Sequence, residues 1–86
     1  MMSKVNTKSN QEIISIIANA KGYPYNGENI NTFQDWKDKG FSVIRGERAW
    51  CQTRLWSKGI NRRFIVYSLF TMDQVVKVVV KELLVV

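Results

Sequence analysis

Residues 32–46 read TFQDWKDKGFSVIRG and hold, in order, a helix, a stop, a strand and a turn. Thr32 can cap the helix, with Asp35 three residues on. Phe33 and Trp36 stand three apart, on one helical face, and are predicted core together with Phe70. Gly40 is a left-handed stop. Residues 41–44 then restart the chain as a strand, and Arg45-Gly46-Glu47 turns it. Glu47 is an acid amid bases, and its expected role is to pair with a neighbouring arginine or lysine and fix its direction.

The flanks supply the rest of the fold. Upstream, Ser9 and Glu12 form a capping box. Ile13, Ile14, Ile16, Ile17 and Ala20 follow at helical spacing, until Gly22 and Pro24 stop the helix. Tyr23 and Tyr25 are predicted to plug the bottom of the core. Residues 26–31, NGENIN, read as a polar connection. Downstream, residues 49–56 alternate as a strand, with Ala49, Cys51, Thr53 and Leu55 on one face. Trp50, Gln52, Arg54 and Trp56 take the other. Residues 57–61 make a hairpin loop, and residues 62–70 return. Phe64, Val66, Ser68 and Phe70 share one face of that return strand, and Arg63, Ile65, Tyr67 and Leu69 the other. Thr71 to Gln74 resemble a second capping box. A helix is expected from there on, since Gln74, Lys77 and Lys81 share a helical stripe, although the valine content favours strand. The apolar residues 83–86 either dock on a partner or pack on the chain's own sheet. The expected class is α+β: a small antiparallel sheet of about three strands, residues 41–44 and the hairpin, with two or three helices packed on it. Residues 1–8 read as a flexible N-terminus and residues 9–86 as one domain.

Composition narrows the function. Hydrophobic residues make up 45% of the 86, enough for a compact core. The net charge of +6 is concentrated: residues 41–63 carry five Arg and one Lys against Glu47 alone. Such clustering favours an anionic partner. There is no histidine, and Cys51 is the single cysteine. Imidazole catalysis and most zinc sites fall away together, and Cys51 has no histidine to activate it. No phosphate-binding glycine motif is present. The expectations are therefore no enzyme, no catalytic residue, no metal and no cofactor. With no secretory leader and no apolar run near the ~18 residues that span a bilayer, the expected compartment is cytoplasmic, away from membranes.

Arginines interleaved with aromatics suit single-stranded nucleic acid, where bases stack on rings and guanidinium groups take phosphates. Trp50, Arg54 and Trp56 share a strand face, and Arg63 and Tyr67 share a face of the next strand. Lys39, Arg45, Gly46, Arg48, Lys58 and Arg62 complete the predicted site. Gly46 lets the backbone approach a ligand closely. Spacing alone leaves Trp50 and Trp56 open between core and binding face, because the sheet has two faces. No helix is basic enough to read a duplex major groove.

The run TFQDWKDKGFSVIRGERAW, with a later strand ending in LFTMDQV, resembles the N-terminal single-stranded-DNA-binding domain of ArdC-type anti-restriction proteins, which also begins some plasmid primases. The matching positions are Thr32, Phe33, Trp36, Gly40, Val43, Arg45, Gly46, Glu47, Arg48, Phe70 and Gln74. They span about half the chain. The resemblance implies an α+β domain that binds single-stranded DNA in a bacterial plasmid or other mobile element. The full anti-restriction proteins carry an H-E-x-x-H metalloprotease-like domain. This histidine-free chain does not match it, so no protease activity carries over. A lone domain of this kind is expected to serve as an accessory in replication or transfer. The alternative is a protein-interaction subunit that docks on and supports a polymerase, a primase or another replication protein.

Overall fold

The computed structural model describes residues 8–79. The elements run α1 (Asn10–Lys21), β1 (Ile30–Thr32), α2 (Phe33–Asp38), β2 (Phe41–Val43), β3 (Cys51–Trp56), β4 (Phe64–Thr71), a 3-10 turn (Met72–Gln74) and β5 (Val75–Lys77). The fold is α+β: an antiparallel sheet in the order β1-β4-β3, beside a two-stranded antiparallel sheet of β2 and β5.

Local signals set the helices. Ser9 Oγ accepts from the Glu12 N–H at 3.2 Å, while Glu12 Oε1 accepts from the Ser9 N–H at 2.8 Å. Gly22 ends α1 at φ +75°, a left-handed conformation that a β-carbon disfavours. Ile14 and Ala18 form the buried stripe of α1. In α2, Thr32 Oγ1 accepts from the Asp35 N–H, and Gly40 follows at φ +90°.

β4 ties two cores together. Its first residues are exposed and its last three buried. Leu69 and Phe70 are neighbours, so their side chains leave opposite faces of the sheet. Leu69 joins Ile14, Ala18, Ile30 and Leu55 beneath α1. Phe70 joins Trp36 and Val75, flanked by Phe41, Val43 and Ala49. Trp36 is 1% exposed and its indole Nε1 donates to the Phe70 carbonyl at 2.8 Å. Its one polar atom is thereby satisfied inside the core.

Several expectations are corrected. Phe33 is not core but 54% exposed. Three helical residues turn through all but about 60° of a circle. In a six-residue helix the inward direction goes to Trp36, leaving Phe33 outside. The third strand of the main sheet is β1, drawn from the segment read as a polar connection, where Ile30 is 1% exposed. β2 leaves the hairpin and pairs instead with β5, Val43 opposite Val75 and Phe41 opposite Lys77. The helix expected after Thr71 is a single 3-10 turn followed by that strand. Gln74 Oε1 does accept from the Thr71 N–H. The valines beyond it, stiff at χ1, are accommodated better by a pleated ladder, and Val75 fills the second core. The expectations for residues 1–7 and for the tail, residues 80–86, lie outside the described residues.

Tyr23 and Tyr25 are half-buried and pack against the first core. Burial raises both phenol pKa values, and for Tyr23 the hydrogen bond from its hydroxyl to Asp73 Oδ2 (2.9 Å) adds to the rise. A raised phenol keeps its proton in the folded chain after the unfolded chain has lost it. The stability it contributes is complete below about pH 10, the ordinary phenol value. It is lost as pH climbs through the raised value. Urea unfolding above pH 10 is therefore expected to show declining stability, with a shallower decline in Tyr23→Phe. Identical slopes for the two proteins would remove Tyr23 from that account.

Candidate nucleic-acid interface

The register of the β3–β4 hairpin pairs Gln52 with Ser68, Arg54 with Val66 and Trp56 with Phe64. Partners in register share a face, so these six side chains lie together. It is the face away from α1, whose core takes Leu55 and Leu69. The second core covers it only at the Phe70 end. Toward the hairpin loop it stays open: Phe64 is 42% and Val66 57% exposed, and Arg54 is exposed. The Trp56 and Phe64 rings stand 4.9 Å apart, tilted by 43°. The Arg62 guanidinium lies 5.5 Å from the Trp56 centroid, a cation–π distance. Gln52 Nε2 donates to Ser68 Oγ. None of these residues is acidic. The surface is a pair of tilted rings between two arginines, which can stack flat groups and hold phosphates.

Backbone bonds fix Trp56 in place. Its N–H donates to Asn10 Oδ1 at 2.8 Å, and its carbonyl accepts from Asn10 Nδ2 at 2.9 Å. One residue of α1 thus fastens the end of β3. In the loop, the Ser57 N–H donates to the Arg63 carbonyl and the Arg63 N–H to Ser57 Oγ.

Of the predicted residues, Arg54, Trp56 and Arg62 come together here. Trp50 does not. Its N–H donates to the carbonyl of Leu69, the residue in register with Cys51. Two residues therefore oppose one, a bulge that breaks the alternation. Trp50 turns to the α1 side, 5.6 Å from Tyr23, with Lys21 5.4 Å from its ring. Tyr67 also faces α1, against the first core. The antiparallel register sets even-numbered β3 residues beside even-numbered β4 residues, so Tyr67 cannot share a face with Arg54 and Trp56. By the same phase Arg63 is out of line with them, and it is exposed in the loop. Lys58 is bound to Asp35 of α2. That hydrogen bond and charge raise the Lys58 pKa. Lys39, just after α2, lies 5.9 Å from the centroid of Trp36.

Arg45, Gly46 and Arg48 occupy an exposed turn after β2. Gly46 has φ +90°, and the Glu47 N–H donates to the Ile44 carbonyl. The expected pairing of Glu47 with a base is corrected: Glu47 Oε1 accepts from Gln74 Nε2 at 2.9 Å, and the same nitrogen donates to the Arg48 carbonyl. Both Gln74 side-chain groups are thus committed, one to Thr71 and one to this turn. Glu47 anchors the turn to the 3-10 segment and leaves the arginines exposed.

Phe64 was missed. The signal lay in the hairpin itself: in an antiparallel pair the residue opposite Trp56 shares its face. Among the described residues, no group of three or more His, Cys, Asp or Glu is arranged to hold a metal ion. No helix among them is long and apolar enough to cross a membrane. Comparison with protein-family models, curated proteins and solved structures finds no match to this chain.

Proposed function

We propose that this protein binds single-stranded DNA through the open face of β3 and β4, as an accessory in replication or transfer of a bacterial mobile element. The observation that carries the reading is the Trp56–Phe64 ring pair, flanked by Arg54 and Arg62 on the half of the sheet toward the hairpin loop, where Arg54, Arg62, Phe64 and Val66 are exposed. The concentration of arginine in residues 41–63 and the resemblance of residues 32–50 to a single-stranded-DNA-binding domain support it. Exposed rings favour splayed bases over a duplex, whose bases are already stacked on one another.

Fluorescence anisotropy with matched oligonucleotides tests the reading. Tighter binding to the single strand than to the duplex is expected, and the reverse order would overturn it. Each phosphate contact should contribute about −0.7 to the slope of log affinity against log salt. Arg54→Gln is therefore expected to flatten the slope by about 0.7. An unchanged slope would take Arg54 out of the interface.

The second reading, a protein-docking subunit, is favoured by a different surface. Val76, Val78 and Val79 are 52%, 49% and 65% exposed at and beyond β5, near Met72 in sequence at 49%. Retention of a co-expressed replication protein after nuclease treatment would support it.

A further inference from the structure

A groove of about 580 Å³ lies on the other side of the sheet, between α1 and α2. Ile14, Ile30 and Leu55 line it along with Tyr67, and Tyr25 stands at its side. That volume suits one small ring-bearing ligand. We propose that the groove takes one unstacked, uncharged base of the same single strand that crosses the open face. This rests on the single-stranded-DNA reading above.

The chemistry of the groove selects the ligand. Asp35 and Asp38 both line it, along with two lysines; a phosphate would meet the carboxylates, Lys58 is already bound to Asp35, and Lys39 lies 5.9 Å from the Trp36 centroid. The amides around the groove are committed as well. Asn10 holds the Trp56 backbone, Gln11 donates to the Gly27 carbonyl, and Gln34 donates to Asp38. By contrast, the Tyr25 and Tyr67 hydroxyls have no hydrogen-bond partner among the described residues. An apolar floor with two phenol hydroxyls still able to hydrogen-bond suits a neutral, flat group with polar edges. A base has that chemistry once it is separated from its phosphate.

Continuity points to the same strand. Trp56 belongs to the ring pair of the open face and also lines the groove. Ser57 and Lys58 line it next to Trp56, at the end of β3. A strand stacked on Phe64 and Trp56 can round the end of β3 there and place its next base between the helices.

The test uses the full chain and an oligonucleotide in which a single abasic site is moved position by position. One position should lose about tenfold in affinity on the intact protein, and lose nothing further on Gln34→Trp, which fills the groove from its exposed rim. In parallel, titration with free deoxynucleosides should shift the NMR signals of Tyr25 and Tyr67. If oligonucleotides bind, yet every abasic loss persists in Gln34→Trp and both tyrosines stay still, the groove proposal is overturned and the open face stands. If no oligonucleotide binds, the open-face reading fails and the shared-strand proposal falls with it. Tyrosine shifts would then assign the groove to free nucleosides instead. Should Gln34→Trp fail to fold, the titration on the intact protein decides. Displacement by an apolar peptide but by no nucleoside gives the groove to a protein partner and sinks the proposal.

Discussion

Trp36→Ala is expected to lose about 3–5 kcal/mol of folding stability, the usual cost of truncating a buried aromatic. For a domain of this size that is a large part of the total. Trp36 joins three things at once. It fills the second core with Phe70 and Val75, meets Phe41 edge-on with centroids 5.1 Å apart, and donates to the Phe70 carbonyl. Alanine leaves a cavity and removes the indole's hydrogen bond to the Phe70 carbonyl. Phe33→Ala, three residues earlier on a 54% exposed side chain, should stay within about 0.5 kcal/mol of wild type. Urea titrations of both variants check the contrast. Equal losses would mean that Phe33 is packed after all, and an unchanged midpoint for Trp36→Ala would refute its place in the core.

Loss of the ring pair should be the largest change in DNA affinity. Trp56→Ala and Phe64→Ala are each expected to weaken single-strand binding about tenfold, the scale of one stacked base. The two effects should not add, because the rings touch at 4.9 Å and share a ligand. The salt slope should hold, since no charge is removed. That separates stacking from the Arg54→Gln effect on one set of titrations. Thermal melts control for folding. Affinity unmoved by either substitution would mean that DNA, if bound, lies elsewhere.

Much of the fold was legible because it rests on near neighbours. Ser9 with Glu12, Gly22, Thr32 with Asp35, and Gly40 act within one helical turn, and each does what its spacing implies. Pairing partners were less legible. Residues 41–43 look like a hairpin neighbour because they precede it, but their partner, Val75–Lys77, lies beyond the whole hairpin. Ile30 is one apolar residue in a polar run, and only the buried edge of β4 makes a strand of it. At the candidate site the clustered arginines were readable. The grouping was not: one bulge at Trp50 and the antiparallel register decide which side chains share a face.

The grip of Asn10 on Trp56 has a consequence for life in a crowded solution. β3 is an outer strand, and outer strands can recruit a foreign strand. The side-chain amide of Asn10 imitates a neighbouring strand's backbone at Trp56, and the bulge disrupts regular pairing at Trp50. Gln52 and Arg54, in phase with Trp56, are the positions left to offer backbone groups on that side, and Arg54 brings charge. So short an opening gives little template for intermolecular sheet growth. The strand that carries Trp56 thus offers little to a foreign strand along its outer edge, although Phe64 and Val66 on the neighbouring strand stay exposed.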